Sequence, residues 1–239
     1  MFLVDGKKEK LTKKMIEVNF TGKELLNETI FDTTIENVAK EHNIYDKNRA
    51  YNSLTIILGE NELHKKVEEE LFKMNVGEEK TVHLNPKEGF GERNLDLVRV
   101  VPLKVFHDQK IKPVPGLMIN LGNAIAKVQS VSGGRVRIDI NHPLAGRELE
   151  YTVKVVKEIT AHKEIAEKLF EKYYSRIPSV TKTITENKLS VTLPKETLNG
   201  LENVNKSITN LAKELGIELV VTGKDKVETK KVENKEEKK

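Results

Sequence analysis

Short segments in which apolar and polar residues alternate recur through the first two-thirds of the chain, and this is the pattern of strands with one buried face. It predicts strands at residues 18–21, 54–58, 81–84 and 151–156. An amphipathic helix is predicted over residues 63–74, where one face carries Leu63, Val67, Leu71 and Met74. The mixture of strands with few helices indicates an α+β protein.

A shorter helix is predicted directly before a polar loop. It covers residues 34–40, with Ile35, Val38 and Ala39 on one face. Thr33 or Thr34 is the expected N-cap, because a threonine hydroxyl can accept a hydrogen bond from an otherwise unpaired N–H of the first turn.

Residues 93–140 have the character of a separate small β-rich domain. Residues 128–131 and 136–140 flank Ser132-Gly133-Gly134, which is typical of a tight hairpin turn. Alternating apolar residues in this segment either fill the core of that domain or offer a sheet edge to an extended peptide. These residues are Leu117, Ile119, Leu121, Val136, Ile138 and Ile140.

The pattern changes again after residue 159. Two helical stripes, at residues 165–173 and 198–215, are combined with strands at 189–193 and 217–221. This predicts an α+β domain over residues 160–223, which is near the lower size for independent folding and is therefore expected to pair with a second copy. The remaining Lys/Glu-rich residues, 224–239, are expected to form a charged disordered tail.

Composition narrows the class of protein. The absence of cysteine excludes disulfides and thiolate chemistry, and the net charge of +4 comes from interspersed rather than clustered residues. Nucleic acid is therefore not an expected partner. No apolar run reaches the roughly 20 residues that a membrane helix needs. We expect a soluble cytoplasmic protein that has no membrane partner.

Motifs for metals and cofactors are also absent from the sequence. The six histidines show neither a zinc spacing nor a catalytic-triad pattern, and no glycine-rich phosphate loop occurs. We therefore expect no cofactor and no metal.

Four strings occur in an ordered series: VNFTGK at residues 18–23, IFDTT at 30–34, GFGERNLDLVRVVP at 89–102 and INHPLAG at 140–146. In this order they resemble the FKBP-type peptidyl-prolyl cis-trans isomerases of the long archaeal and SlyD-like type. The resemblance covers about residues 15–159. It implies an α+β fold in which a half-open antiparallel sheet wraps on the helix at residues 63–74.

The resemblance also implies how the chain is divided. The isomerase domain would comprise residues 15–92 and 141–159, and residues 93–140 would be the insert-in-flap chaperone domain. Residues 1–14 would be an N-terminal extension, although Met15 is an alternative start. The domain at residues 160–223 lies outside the resemblance, and its possible role in dimerisation rests on its size and its apolar stripes.

A proline-binding pocket follows from the same resemblance. Its implied catalytic positions are Phe31, Asp32, Phe90 and Tyr151. Its implied substrate-binding positions are Phe20, Leu54, Leu63, His64 and Val67. In this scheme Asp32 orients a hydrogen bond, and the backbone N–H of His64 holds a carbonyl of the substrate.

The chain departs from the family pattern at several pocket positions. Phe20 and Phe90 stand where the family has tyrosines, so two hydroxyls are lost. His64 and the two lysines after it replace the usual start of the helix, and Val67 is smaller than the usual floor residue. We expect the prolyl ring still to pack in the pocket, but with weaker activity because a hydrogen bond of about 1 kcal/mol is missing.

Rotation about an X–Pro bond faces a barrier of about 18–20 kcal/mol and needs no nucleophile. An apolar pocket that binds the twisted amide better than the planar one is sufficient. The sequence therefore favours an isomerase with chaperone activity, acting on unfolded or partly folded polypeptides that contain X–Pro bonds. Two alternatives stay open: a holdase-type chaperone whose pocket is weak or inactive, and a structural dimerisation protein based on residues 198–221.

Overall fold

The computed structural model describes residues 2–4, 7–9, 13–122 and 124–224. Most of the predicted tail and part of the predicted N-terminal extension lie outside these residues. The strands and helices are, in chain order, β1 (Phe2–Val4), β2 (Lys7–Glu9), β3 (Met15–Glu24), β4 (Thr29–Thr33), α1 (Glu36–Glu41), β5 (Leu54–Ile57), α2 (Lys65–Leu71), β6 (Glu79–Leu84), a 3₁₀ turn (Leu95–Leu97), β7 (Val98–Pro102), α3 (Leu103–Asp108), β8 (Met118–Asn120), β9 (Ile125–Ser132), β10 (Arg135–Asp139), β11 (Leu149–Ile159), α4 (His162–Tyr173), β12 (Thr181–Ile184), β13 (Lys188–Pro194), α5 (Lys195–Gly200), α6 (Glu202–Glu214) and β14 (Glu218–Lys224).

The chain divides into two compact units. The central unit comprises residues 19–54 and 63–155, and the terminal unit comprises residues 55–62 together with those up to 18 and from 156 onward. None of the described helices is long and apolar enough to cross a bilayer.

The five-stranded sheet is antiparallel and has the strand order β4–β3–β11–β6, with β5 paired to β3. Strand β3 alternates between buried and half-buried positions along its length, as expected for a strand with one face on a core. Helix α2 buries Val67, Glu68 and Leu71. This is the half-open sheet on one helix that the resemblance implied, and the predicted α+β fold class is confirmed.

Both helices of the central unit's isomerase part begin later than predicted. Helix α1 has Ile35 as its N-cap, without a side-chain capping bond. The predicted threonine cap is wrong, because Thr34 Oγ1 accepts from the N–H of Phe20 and Thr33 Oγ1 accepts from the N–H of Ile35. Helix α2 covers only part of residues 63–74, because His64 is extended (ψ 137°) and the chain continues in turns after Phe72.

The inserted segment forms its own sheet in the order β7–β10–β9–β8 around a separate core. That core contains Phe106, Ile119, Ala126, Val128, Val136 and Ile138. The predicted hairpin turn is confirmed, since Gly133 and Gly134 both have positive φ, at 55° and 71°. Helix α3 was not predicted.

Of the two alternatives for the six alternating residues, the core alternative is confirmed for five of them, while the sheet-edge alternative is wrong for β10 and stays a prediction for the edge strand β8. Ile119, Val136 and Ile138 are buried in the core of the insert, and Leu117 and Ile140 pack against it. Leu121 is exposed. Strand β10 is also central in its sheet, so its backbone is paired on both sides.

The terminal unit contains a three-stranded sheet in the order β12–β13–β14, with β13 and β14 parallel. Its core is formed by residues from strands, helices and the end of β11, among them Met15, Ile57, Ile159, Leu169, Tyr174, Leu193 and Ile208. The helix predicted over residues 198–215 is in fact two helices, α5 and α6, which separate at Leu201. Strand β12 was missed because its exposed lysine and threonines show no apolar face.

Candidate active site

Aromatic rings from three parts of the central unit meet in one hollow. The Phe31 ring on β4 lies 6.2 Å from the Phe90 ring and 5.7 Å from the Tyr151 ring, and both contacts are edge-to-face. Phe20 lies 6.1 Å from Tyr151, and His64 lies 4.8 Å from Phe90 and 5.4 Å from Tyr151. Edge-to-face contacts of this kind hold rings in defined orientations. The structure therefore brings together five of the residues that the sequence singled out.

Gly22 allows the Phe31 ring to lie close to strand β3. A Cβ atom at Gly22 would come within 2.5 Å of the Phe31 Cζ and 2.7 Å of its Cε2. Gly22 pairs with Asp32 in the β3–β4 ladder, and the register shifts directly after it. The backbone of β3 thus forms part of the wall behind Phe31, a role for which only glycine has room.

The loop that carries Phe90 is fastened to helix α2 through Glu88. The Glu88 carboxylate accepts hydrogen bonds from the N–H of Asn85 at 3.0 Å and from Lys66 Nζ at 2.9 Å. These bonds hold the pKa of Glu88 below its ordinary value. The loop closes with a bond of 2.8 Å from the N–H of Gly91 to the carbonyl of Pro86. Phe90 is therefore presented from a fixed turn.

The start of helix α2 is organised around His64. The buried Glu68 accepts from the N–H of Leu63 at 3.1 Å, and the N–H of Val67 donates to the carbonyl of His64 at 2.8 Å. Within the described part of the chain, no hydrogen bond is formed by the backbone N–H of His64 itself. This N–H is thus free to donate to a ligand.

The His64 imidazole is half-buried between aromatic rings. Burial lowers its pKa below the ordinary value of 6.5, and the nearby His142 lowers it further. His142 stacks on the other side of the site, with its ring 4.2 Å from that of Phe90 and nearly parallel to it. His142 was not among the pocket positions that the sequence implied. The stacking partner lies about fifty residues away in sequence, so no local pattern marks it.

Asp32 is paired rather than free. Its Oδ1 accepts a hydrogen bond of 2.6 Å from Arg49 Nη1. Arg49 belongs to the loop after α1, and its guanidinium also lies over the Tyr51 ring, which in turn stacks on Tyr45 at 5.3 Å. Arg49 was missed in the sequence, because an arginine in a polar loop has no distinguishing pattern.

Tyr151 is the ring shared by most of these contacts. It is only 5% exposed, and burial together with the nearby Asp32 carboxylate raises the pKa of its hydroxyl. The hydroxyl therefore stays protonated at neutral pH and can donate a hydrogen bond.

The remaining predicted residues occupy different kinds of position. Val67 is fully buried in helix α2, and Leu63 is half-buried before its first turn. Leu54 opens strand β5 and is 37% exposed. No ring contact or hydrogen bond of these three side chains connects them to the hollow within the described residues, so their roles remain predictions.

An apolar hollow of fixed rings suits the binding of a small apolar ring with an adjacent amide. The rings exclude water, and water favours the planar, charge-separated form of an amide. The free N–H of His64 is a donor for a carbonyl at the edge of such a ligand. This arrangement can stabilise a twisted peptide bond without any reactive group.

Comparisons with known proteins point to the same chemistry. Residues 6–105 match the family described as FKBP-type peptidyl-prolyl cis-trans isomerase, and residues 99–144 match the family described as FKBP26, IF domain. The chain is 41% identical over 126 residues to the short-type peptidyl-prolyl cis-trans isomerase of Methanocaldococcus jannaschii. That alignment covers 53% of this chain and 80% of the relative.

Two bacterial relatives are more distant. SlyD of Vibrio cholerae is 33% identical over 116 residues, which are 47% of this chain and 58% of that protein. A probable FKBP-type 16 kDa isomerase of Pseudomonas fluorescens is 28% identical over 131 residues, covering 53% of this chain and 83% of that protein.

The fold and these relatives thus define an enzyme that isomerises prolyl peptide bonds. The chain belongs to the FKBP-type peptidyl-prolyl cis-trans isomerases. Within that family it combines the isomerase domain with an IF domain and resembles the SlyD-like members.

Proposed function

We propose that this isomerase accelerates proline-limited folding and that its inserted domain holds unfolded clients while it does so. One observation supports the proposed chaperone activity of the inserted domain. Half of the exposed large apolar side chains among the described residues lie between positions 95 and 125: Leu95, Val100, Val105, Val114, Met118, Leu121 and Ile125. Clustered apolar exposure of this kind is typical of a surface that binds other polypeptides. The partners would be unfolded or partly folded chains with X–Pro bonds, met in the cytoplasm.

The proposed catalytic residues are those of the hollow. Phe31, Phe90 and Tyr151 surround the prolyl ring and exclude water from the amide, which favours the twisted state over the planar one. Asp32 orients the polar side of the hollow through its pair with Arg49. The backbone N–H of His64 holds a carbonyl of the client.

The proposed substrate-binding residues complete the walls. The ring of the buried Phe20 lies 6.1 Å from that of Tyr151, and the buried Val67 donates its backbone N–H to the carbonyl of His64. Leu54 and Leu63 offer partly exposed apolar surface for client residues flanking the proline.

The two functions would cooperate through local concentration. A client held on the insert stays near the hollow, so its proline is captured repeatedly without a new encounter. We take residues 93–140 as this insert, residues 15–92 and 141–159 as the isomerase domain, and residues 160–223 as a C-terminal domain. The match of residues 99–144 to an IF domain supports the position of the insert.

A paired assay tests the proposal. The full chain should accelerate the slow refolding phase of a proline-limited protein and also reduce light scattering from a heat-unfolded one. Phe31→Ala should lower the rate acceleration by about tenfold or more, since it removes a central ring, while scattering suppression stays unchanged. Suppression without any acceleration by the unmodified chain would instead support a holdase with an inactive pocket. Acceleration without suppression would remove the chaperone part.

Isomerase activity should fall in mild acid because of His64. The groups that face this imidazole are His142, Tyr151 and, beyond Tyr151, the Asp32–Arg49 pair. Since its pKa lies below 6.5, His64 is neutral above that pH and gains a proton only as the pH falls further. A charge in the apolar hollow then weakens client binding. We expect kcat/KM for a prolyl tetrapeptide to be constant from pH 8 to 6.5 and to decrease below it.

The same shift has a consequence for stability. The folded state binds the His64 proton more weakly than the unfolded state does. The contribution of neutral His64 to the free energy of unfolding is therefore complete above pH 6.5 and is lost as the pH falls.

Two substitutions test the assignment of the acid limb. His64→Leu should flatten the acid limb of the activity profile, whereas His107→Gln, on the exposed face of α3, should leave it unchanged. An acid limb that survives in His64→Leu would assign the titration to another group.

We also propose that the chain pairs with a second copy through its C-terminal domain. Val204 on α6 is 50% exposed, and other residues of α6 line a groove together with Leu198 and Val221. Sedimentation should give a mass twice the 27.2 kDa of one chain. Val204→Lys should shift the mass to that of the monomer, and Val156→Lys, an exposed valine on β11, should not. A monomeric unmodified chain would refute the pairing.

A further inference from the structure

A cleft of about 700 Å³ separates the inserted sheet from the returning segment of the isomerase part. One wall is the outer face of the inserted sheet, where Met118 and Ile125 are 49% and 60% exposed. The opposite wall contains His142, Pro143 and Ala145. The volume lies within the usual range for binding sites.

The cleft adjoins the aromatic hollow through His142. This ring lines the cleft and stacks on Phe90, whose ring is part of the hollow. A client chain that has its proline in the hollow can therefore continue directly into the cleft.

Among the described residues that line the cleft, the one acidic side chain, Asp139, is already neutralised. Its carboxylate accepts bonds from Arg93 Nη2 at 2.7 Å, from Gln129 Nε2 at 2.8 Å and from Asn141 Nδ2 at 2.7 Å. Burial opposes ionisation of Asp139, but the bonds from Asn141 and Arg93 hold its pKa below the ordinary value. Asp139 and Arg93 thus satisfy each other and add no net charge.

The side chains of two other cations of the cleft form no hydrogen bond within the described residues. Within the described residues, the side-chain ammonium of Lys127 forms neither an ion pair nor a hydrogen bond. Arg147 Nη1 lies 3.9 Å from the Glu24 carboxylate, which is beyond hydrogen-bond distance. That carboxylate is already bonded to the N–H groups of Leu26 and Asn27. The walls of the cleft therefore combine apolar residues with polar ones, and the cations outnumber the single carboxylate that lines it.

We propose that this cleft binds extended client segments in which acidic residues accompany apolar ones, and that Lys127 and Arg147 select them. The proposal rests on the proposed chaperone function and adds a class of client to it. The apolar residues of the cleft contact the hydrophobic side chains of an unfolded segment, and the two cations favour segments that carry acidic residues. Segments rich in lysine or arginine are disfavoured for the same reason.

The test uses the full chain and peptides with one Ala-Leu-Pro-Phe core. Three of them carry flanking Glu, Gln or Lys residues, and a fourth has no flanks. Turnover measured by exchange NMR should give the Glu peptide a kcat/KM about fivefold above that of the Gln peptide at low salt, with the Lys peptide lowest. Salt screens the interaction between exposed charges. The differences in kcat/KM among the three flanked peptides should therefore largely vanish at about three times physiological ionic strength.

Substitutions then locate the effect. Lys127→Glu, at an exposed position of β9, should reverse the order of the Glu and Lys peptides, and Arg147→Gln should reduce the spread. Lys104→Glu, an equal charge change on the exposed side of α3, should leave the order unchanged. Equal turnover of the three flanked peptides, or an equal response to Lys104→Glu, overturns the proposal. Failure to turn over the unflanked peptide would count against the isomerase hollow instead.

Discussion

Gly22→Ala is expected to lower kcat/KM for prolyl isomerisation by about 30-fold, or ~2 kcal/mol of transition-state stabilisation. The added methyl would lie within 2.5 Å of the Phe31 ring, and atoms do not approach so closely. The ring must turn away, but it is held by edge-to-face contacts to Phe90 and Tyr151. Its displacement should open the hollow to water and remove the desolvation that the proposed mechanism requires.

Two controls separate this effect from a general loss of stability. Gly200→Ala adds the same methyl at a glycine with no atom within 4 Å, and activity should not change. In the Phe31→Leu background, where the ring is absent, Gly22→Ala should cost little further activity, because the clash has been removed. If Gly22→Ala alone retains full kcat/KM with a native circular dichroism spectrum, the wall formed by β3 is not part of the active site.

Removal of the insert is expected to lower catalysis of protein refolding strongly while catalysis on a short peptide is largely retained. The chain enters and leaves the insert at neighbouring positions, since the N–H of Asn94 donates to Asn141 Oδ1 and Asn141 Nδ2 donates to the Asn94 carbonyl, both at 2.8 Å. Asn94 can therefore be joined to Asn141 through an Asn-Gly turn. We expect kcat/KM for a tetrapeptide to stay within about twofold of the full chain, and catalysis of protein refolding to fall by about 100-fold because local capture is lost.

The deletion of the insert should not disturb the packing of the remaining domain. The core of the insert consists only of residues between 101 and 140, so its loss removes no core residue of the sheet around α2. In the intact chain, the double substitution Met118→Ser and Ile125→Ser should lower catalysis of protein refolding in part. It should leave kcat/KM for the tetrapeptide unchanged. Refolding catalysis that survives the deletion would show that the hollow captures unfolded chains by itself.

Much of the fold could be predicted because it depends on local pattern. The alternation in β3 and β13 and the paired glycines at positions 133 and 134 each specify an element within a few residues. The start of α1 was mispredicted for a non-local reason. The hydroxyl of Thr34 was assigned to the helix, but the structure uses it to bind the backbone of Phe20, fourteen positions earlier.

The sequence predicted only those residues of the site that belong to the four family motifs or are aligned by them. The aromatic residues come together as expected, because the order of the four strings is specific to the family fold. Arg49 and His142 act through partners that are seventeen and fifty-two positions away, and a single sequence holds no signal for such pairs. Gly22 was part of a motif, but its steric role becomes visible only when the Phe31 ring is placed.

The paired asparagines at the base of the insert have a consequence for how this enzyme can be remodelled. A segment whose ends are already adjacent adds little chain entropy to the fold that carries it, since that term grows only with the logarithm of loop length. The isomerase framework can therefore accept a different recognition module between Asn94 and Asn141 without redesign of its hollow. The same geometry makes it a candidate carrier for directing prolyl isomerisation to a chosen polypeptide.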